Sequence, residues 1–357
     1  MNATITIAVA LSLALLGGCA VERVATPDAG VAARTEPVIK EAFVTVAADA
    51  DNLDSPAVWH ADNGDVRVYI TAKSTDAVRV FDGISGAALG SIGRRGTGAG
   101  EFLRPNGISV VGDVLFVVER DGHRVQALAL PDARVLGSFG ADTLKKPYGL
   151  WVREDGPRRY RIYVTDDWAP PGTADGAGAR KVHVFDVAGT DPLVATHVDE
   201  FGDADGAGRL RIVESVFGDA ARGELLIADE FEGDGSRLKL FDLQGRYRGR
   251  DIGAGIYRHQ AEGFALYACA DGSGYWIGSD QSPTDQRYLV FDRATFEYVG
   301  AVRPAVANTT DGVWLDQHAS TRFPAGALYV SHSDNAVAAF DWRDIASALK
   351  LRPPCAP

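Results

Sequence analysis

Asp54-Ser55-Pro56-Ala57-Val58-Trp59 is the first of six copies of one short pattern: a polar residue, a small or turn-forming residue, then apolar residues that favour β-strands. The other copies are Asn106-Gly107-Ile108-Ser109-Val110, Tyr148-Gly149-Leu150-Trp151-Val152, Glu214-Ser215-Val216-Phe217, Glu262-Gly263-Phe264-Ala265-Leu266-Tyr267 and Asp311-Gly312-Val313-Trp314-Leu315. Each copy is followed by a strand that ends in an apolar residue and usually Asp, as in Val80-Phe81-Asp82. Two patterns that recur together indicate one structural unit used six times.

The spacing of the copies indicates the type of repeat. They begin at positions 54, 106, 148, 214, 262 and 311, which suits four-stranded propeller blades better than solenoid repeats of about 20 to 35 residues. The sequence therefore predicts an all-β protein, a six-bladed β-propeller over residues 41–350, acting as a monomer. The last blade has only three strands of its own, and the lone strand at residues 41–46 is expected to complete it and close the ring.

Composition agrees with this fold and restricts the partners. The 357 residues are 46% hydrophobic and include 40 glycines, as expected of a turn-rich β protein. The formal charge of −12 argues against a nucleic-acid partner. It would also repel an anionic ligand unless a bound metal ion reversed the local potential.

The N-terminal segment has the features of an export signal. Residues 1–18 carry no charged side chain and contain an apolar stretch, which predicts a signal peptide. Leu16-Gly17-Gly18-Cys19 resembles the lipobox of bacterial lipoproteins, which implies lipidation of Cys19, with residues 19–40 as a tether. The expected location is the periplasm or cell surface, with membrane contact only through the lipid anchor. Ordinary secretion is the alternative, because no Lys or Arg precedes the apolar stretch.

Two further cysteines allow two interpretations. Cys269 is predicted inside a strand of the fifth blade, and Cys355 lies in the C-terminal tail, residues 351–357. An oxidising compartment would permit a disulfide that fixes the tail to this blade. A buried thiol and a free terminus remain the alternative.

Carboxylates predominate at the first position of the repeated pattern. If the six strands surround one axis, these side chains converge on one end of the central channel, which we call the mouth. Glu230, after the strand at 225–228, and Gln281 add further oxygen atoms. Oxygen donors without a His or Cys cluster favour calcium or magnesium over zinc. Acidic residues at strand starts can also be solvated turn formers, but their shared position in four blades favours a cation site.

Several segments resemble one known family. Gln260-Ala261-Glu262-Gly263-Phe264-Ala265-Leu266-Tyr267, continued by Ser279-Asp280-Gln281, is similar to the fifth-blade signature of the β-propeller phytases. Leu225-Leu226-Ile227-Ala228-Asp229-Glu230, Asp54-Ser55-Pro56-Ala57-Val58-Trp59 and Phe340-Asp341-Trp342 resemble the same family, so the resemblance spans about residues 41–345. It implies a calcium-dependent phosphomonoester hydrolase of the 3-phytase type, which releases phosphate from myo-inositol phosphates through metal-activated water.

The same resemblance implies the roles of individual residues. Glu214, Glu230 and Glu262 are the expected catalytic residues. Lys73, Arg120 and Tyr148 are the expected phosphate contacts. The implied calcium ligands are Asp54, Glu214, Glu230, Glu262, Gln281 and Asp311.

The chain also departs from the phytase pattern. Ser55 and Gln260 stand where the family has acidic ligands, which predicts weaker calcium binding. The segment Gly98-Ala99-Gly100-Glu101-Phe102-Leu103-Arg104-Pro105-Asn106-Gly107-Ile108, with residues 121–126, resembles an NHL propeller repeat. Two alternatives to a phytase-like enzyme therefore stay open: a noncatalytic NHL-like binding module outside the cytoplasm, and a calcium-dependent lactonase-type hydrolase.

Overall fold

The computed structural model describes residues 36–174, 177–189, 191–203 and 205–355. These residues form a six-bladed β-propeller, which confirms the predicted fold class. The compact unit begins at Glu36, ahead of the predicted start at residue 41. The predicted signal peptide, Cys19 and most of the tether lie outside the described residues.

The first half of the propeller follows two short N-terminal strands. These strands are β1 (Val38–Ile39) and β2 (Phe43–Val44). Blade one contains β3 (Leu53–His60), β4 (Val66–Ala72), β5 (Ala77–Asp82) and β6 (Ala88–Ile92). Blade two contains β7 (Pro105–Val111), β8 (Val114–Glu119), β9 (Arg124–Ala129) and β10 (Arg134–Phe139). Blade three contains β11 (Pro147–Gly156), β12 (Arg159–Asp166), β13 (Lys181–Ala188) and β14 (Val194–Phe201).

The second half repeats this plan. Blade four contains β15 (Val216–Asp219), β16 (Glu224–Asp229), β17 (Arg237–Asp242) and β18 (Tyr247–Ile252). Blade five contains β19 (Gln260–Ala268), β20 (Gly274–Gln281), β21 (Arg287–Asp292) and β22 (Tyr298–Pro304). Blade six contains β23 (Val313–Asp316), β24 (Ala327–His332) and β25 (Ala336–Asp341), followed by helix α1 (Trp342–Leu349). Within the described part of the chain, no helix is both long and apolar enough to span a membrane.

The N-terminal strands close the ring. β2 pairs antiparallel with β25, placing Phe43 opposite Ala339, and so supplies the fourth strand of blade six as predicted. β1 pairs parallel with β22 and adds a fifth strand to blade five, which the sequence analysis did not foresee. The start of the chain is therefore bonded to the last two blades, and this covers sheet edges that would otherwise be open.

The core lies between neighbouring blades. Six buried apolar clusters occur in the described residues, and each contains one residue from the middle position of the second repeated pattern. These residues are Phe81, Leu128, Phe185, Phe241, Phe291 and Phe340. The second pattern recurs because the third strand of each blade must fill an interface with a neighbouring blade. Large buried side chains contribute most of the apolar stabilisation there.

The C-terminal tail is covalently attached to blade five. Cys269 and Cys355 form a disulfide across 86 residues of sequence, so the first of the two interpretations holds. β19 ends at Ala268, and the predicted placement of Cys269 inside a strand is wrong by one residue because a turn begins there. The Tyr267 hydroxyl lies 3.2 Å from the Cys355 carbonyl oxygen and donates to it.

Candidate cation and phosphate site

The repeated polar residues lie where the innermost strands are irregular. In β3 the pairing with β4 jumps from Leu53 to Pro56, and β7, β11 and β19 show the same break at the equivalent point. In blades four and six the innermost strand begins only after the polar and small residues. A local bulge re-aims a side chain out of the regular ladder. The irregularity therefore lets each blade present one polar side chain at the mouth.

The small residue of the pattern is required by close contact between blades. A Cβ atom on Gly263 would lie 2.6 Å from the Asp311 carbonyl oxygen of the next blade. A Cβ on Gly107 would lie 2.6 Å from the Tyr148 carbonyl oxygen. Both distances are below van der Waals contact, so these positions need glycine. The close approach brings successive polar residues side by side around the axis.

Hydroxyl groups on the second strands fix this spacing, and sequence reasoning missed them. Thr71 Oγ1 donates to the Asn106 carbonyl oxygen of blade two at 2.6 Å. Thr165 Oγ1 donates to the Glu214 carbonyl oxygen of blade four at 2.7 Å. Both threonines lie just before the end of their strands, and this repeated hydroxyl is the sequence signal that could have revealed them. Each bond locks one blade to the next at the mouth.

Three predicted ligands form a compact cluster, which we call the acid triad: Glu214, Glu230 and Glu262. One carboxylate oxygen from each lies within 4.8 Å of the others. Glu230 and Glu262 are buried, and Glu230 Oε1 has no hydrogen-bond partner in the described structure. An unpaired buried carboxylate oxygen is costly, so this atom is a sign of a missing ligand.

Burial and mutual repulsion raise the proton affinity of the acid triad. Burial and the charge of Asp54 raise the pKa of Glu214 to about 8. Burial and the charge of Glu214 raise the pKa of both Glu230 and Glu262 well above the usual range. Without a cation the triad therefore retains protons at neutral pH, and a divalent cation would displace them.

A second group at the mouth is centred on Lys73, which we call the Lys73 group. Lys73 Nζ lies 2.8 Å from Asp54 Oδ2 and 3.0 Å from Asp311 Oδ2. The Gln281 side-chain amide donates to Asp311 Oδ1, and Ser55 Oγ donates to Asp54 Oδ1 at 2.5 Å. Burial lowers the pKa of Lys73, but the two carboxylates outweigh it and hold that pKa above its ordinary value. The predicted metal ligands thus divide into the acid triad and a set paired with Lys73.

Tyr148 lies between the two groups. Its hydroxyl lies 3.4 Å from Asp54 Oδ2, and the charges of Glu214 and Glu262 also act on it. Burial and the surrounding carboxylates raise the pKa of Tyr148 well above its usual value. Asn106 Nδ2 donates to Asp54 Oδ2 at 3.3 Å from blade two. The contacts and charge interactions of these residues bring all six repeated polar positions together at the mouth.

Arg120 is the predicted phosphate contact that the structure leaves outside this network. It follows β8 as Lys73 follows β4, and its backbone N–H donates to the Arg104 carbonyl oxygen at 3.0 Å. Its side chain pairs with Asp121 at 3.9 Å, and its buried Nε has no hydrogen-bond partner. Among the described residues, no hydrogen bond or ion pair joins Arg120 to the acid triad.

Asp167 belongs to the mouth, although sequence reasoning did not assign it there. Its carboxylate accepts from Lys146 Nζ at 2.6 Å and from Arg180 Nε at 2.8 Å. Its negative charge contributes to the raised pKa of Glu230. The available signal was an acidic residue directly after the second strand of blade three, the position that Glu230 occupies in blade four.

The acid triad fits a calcium ion in both donor type and size. Two oxygen ligands on opposite sides of calcium, at about 2.4 Å from the ion, are about 4.8 Å apart. The triad oxygens lie within this limit. All three donors are carboxylate oxygens, which calcium prefers and which zinc in protein sites uses less than His or Cys. Below the mouth, residues of all six blades line a cavity of about 60 Å³, too small for a ligand larger than a few waters.

Comparisons with known proteins identify the fold and no family. No protein-family model matches the chain, and no curated protein matches its sequence. Solved β-propellers are similar in structure. Kuenenia stuttgartiensis hydrazine synthase shares 13% identity at TM-score 0.50, covering 87% of this chain and 82% of its own. The nidogen/laminin complex shares 14% at TM-score 0.51, covering 79% and 91%. The Cps50 (Swd1) β-propeller domain of Myceliophteria thermophila shares 10% at TM-score 0.50, covering 83% and 98%.

The fold and the site together define a class of protein. The chain is a six-bladed β-propeller with a cluster of three carboxylates, two of them buried, at one end of its central channel. Likeness at these identities concerns the fold alone, so function has to be argued from the site.

Proposed function

We propose that the protein is a calcium-dependent phosphomonoester hydrolase that acts on inositol phosphates at the mouth of the propeller. The observation that carries this proposal is the acid triad with its unpartnered Glu230 Oε1. Three carboxylates in contact distance, two of them buried, are unfavourable when ionised, and a divalent cation removes that cost. The sequence resemblance to β-propeller phytases supplies the reaction class.

Residues around the triad suit a phosphate ligand. Calcium held by the acid triad would supply positive charge and Lewis acidity. The charge of Lys73 acts on Glu214 and Glu262, and its ammonium can contact a phosphate oxygen when it leaves one of its two carboxylates. The Tyr148 hydroxyl can donate to a second phosphate oxygen. Hydrolysis consumes one water, breaks the phosphorus–oxygen bond of the ester and releases an alcohol and inorganic phosphate.

Glu214 is placed to take part in proton transfer in this reaction. Its carboxylate belongs to the acid triad but is only half-buried, unlike those of Glu230 and Glu262. Bound calcium would displace the proton that burial and Asp54 favour on Glu214, leaving a carboxylate that can accept one from water. We assign Glu214 the role of taking a proton from the attacking water, with Glu230 and Glu262 as the principal metal ligands.

Export is part of the proposal. The uncharged apolar N-terminus and the resemblance around Cys19 to a lipobox favour an anchored protein outside the cytoplasm. The Cys269–Cys355 disulfide supports this location, because disulfides persist in oxidising compartments.

Calcium binding and phosphate release test the proposal separately. The purified full chain is treated with a chelator, titrated with calcium by calorimetry, and assayed for phosphate release from inositol hexakisphosphate. We expect calcium-dependent release, lost in Glu230→Gln and Glu262→Gln. The matched control is Glu297→Gln, which changes an exposed glutamate away from the mouth.

Each negative result has a defined meaning. Calcium binding without phosphate release from inositol hexakisphosphate or from a simple aryl phosphate would exclude the phosphatase. Lactone hydrolysis would then be assayed as the alternative reaction. Absence of both calcium binding and hydrolysis would leave a noncatalytic binding module.

A further inference from the structure

We propose that His60, Asp316 and His318 form a zinc site at the end of the propeller opposite the mouth. β3 runs from the mouth, where Asp54 lies, and ends at His60. β23 begins at Val313, two residues after Asp311, runs in the same sense and ends at Asp316, with His318 two residues further on. This cluster is separate from the calcium site and does not depend on the proposed hydrolase activity.

The ligand atoms already have the spacing of a coordination shell. His60 Nε2 lies 2.8 Å from Asp316 Oδ2, and His318 Nδ1 lies 2.9 Å from Asp316 Oδ1. One ligand atom of each residue lies within 4.8 Å of the other two. Four ligands at 2.0 to 2.1 Å around tetrahedral zinc are about 3.3 Å apart, so small side-chain rotations bring all three residues onto one ion.

The chemistry of the cluster selects zinc-like ions over calcium. Two imidazoles and one carboxylate form a donor set that suits zinc, copper or nickel, whereas calcium prefers oxygen donors. Asp316 is buried, with a side chain only 7% exposed, whereas the His318 side chain is 69% exposed. The buried carboxylate anchors the ion, and the exposed side leaves a fourth position for water.

The position of the cluster gives the ion a structural consequence. His60 belongs to blade one, and Asp316 lies 256 residues further along the chain in blade six. A bound ion would join the first and last blades directly, at the interface where the ring closes. Because such a site exists only in the folded state, binding adds to folding stability.

The second histidine cluster in the described residues is a weaker candidate. His183, His197 and Glu200 all belong to β13 and β14 of blade three. His183 Nδ1 lies 3.6 Å from Glu200 Oε2. The side chains of His197 and Glu200 are exposed. This cluster lies within one blade and would not contribute to ring closure.

Zinc titration of the full chain tests the proposal. Chelator-treated protein is titrated with zinc chloride by calorimetry with calcium in excess to occupy the mouth. Cobalt(II) in place of zinc reports coordination through its visible absorption. We expect one zinc per chain, an intense tetrahedral cobalt spectrum and a higher melting temperature with zinc. His60→Gln and His318→Gln should each bind zinc at least about tenfold more weakly.

Controls make this result specific. His318 is exposed, so His318→Gln should fold normally and can be checked by circular dichroism. His123→Asn is the matched control, because His123 is exposed, lies in a turn with positive φ and belongs to neither cluster. Unchanged zinc affinity in both His60→Gln and His318→Gln would overturn the proposal. So would loss of binding only in His197→Gln, which would place zinc in blade three.

Discussion

Lys73 Nζ lies 2.8 Å from Asp54 Oδ2, in a buried ion pair at the mouth. The lysine was expected to face a phosphate and the aspartate to bind calcium. Both belong to blade one, and Asp311 of blade six completes the arrangement. The Lys73 ammonium therefore neutralises two carboxylates that were predicted to bind calcium.

The first prediction concerns removal of this cation. Lys73→Met leaves the buried Asp54 and the half-buried Asp311 without a counter-charge, and breaking a buried pair from one side costs about 3 to 5 kcal/mol. We expect the free energy of unfolding in urea to fall by about that amount in the presence of a chelator. Calcium should recover part of the loss in the variant, because the freed carboxylates can then bind the ion.

Lys40→Met is the control for this prediction, since Lys40 is exposed and lies away from the mouth. A Lys73→Met protein as stable as the wild type without calcium would contradict the role of Lys73 as counter-ion. In that case phosphate binding would be the one role left for Lys73.

The second prediction concerns the C-terminal tail. The Cys269–Cys355 disulfide closes a segment of 86 residues, and a native disulfide of this kind contributes typically about 2 to 4 kcal/mol. We expect reduction, or the double change Cys269→Ser and Cys355→Ser, to lower the urea midpoint accordingly. Reductant should have no further effect on the double variant. If the wild type and the double variant unfold at the same midpoint, the bridge does not stabilise the fold.

Much of this arrangement could be predicted from the sequence, because the fold repeats. The polar, small and apolar positions recur in all six blades, so the blade count, the closing strand at residues 41–46 and the convergence of the polar residues follow from periodicity. The pairing of Lys73 with Asp54 and Asp311 does not repeat. Its contact with Asp311 depends on the distance between blades one and six, which becomes known only once the ring is assembled.

The same distinction explains the residues that were missed. β1 has two residues and no counterpart in the other blades, so the repeated pattern does not predict it. Asp167 follows β12 at the start of an irregular segment, and its carboxylate accepts from Lys146 and Arg180, on either side of it in the sequence. Arg120 matches Lys73 in register, but its side chain pairs with Asp121 instead of entering the mouth network.

The third prediction concerns the contact between blades at the axis. A Cβ on Gly263 would lie 2.6 Å from the Asp311 carbonyl oxygen, a backbone atom that cannot rotate away. Gly263→Ala should cost about 1 to 3 kcal/mol of stability, as overpacking does, and should weaken calcium binding by displacing the adjacent Glu262. Gly300→Ala is the control, because its added Cβ would meet only the end of the Leu349 side chain. Equal stability and calcium affinity in the two variants would show that the blades are not in close contact at the axis.

The last prediction concerns the pH dependence of stability without calcium. The pKa of Glu214 is raised to about 8 by burial and Asp54, and that of Asp311 to about 7, again by burial and Asp54. Between their unfolded pKa values, near 4, and these folded values, the native state binds more protons than the unfolded state. Stability must therefore fall as pH rises through this window, by about 1.4 kcal/mol per pH unit for each proton of difference.

Urea unfolding from pH 5 to pH 8 measures this effect directly. In chelator we expect the midpoint to fall towards pH 8, whereas in saturating calcium the dependence should flatten, because the ion stabilises the ionised carboxylates. Glu214→Gln should reduce the slope in chelator, and the exposed control Glu297→Gln should not. A midpoint that rises from pH 5 to pH 8 in chelator would mean that the acid triad is ionised and compensated without calcium, and the cation site would have to be abandoned.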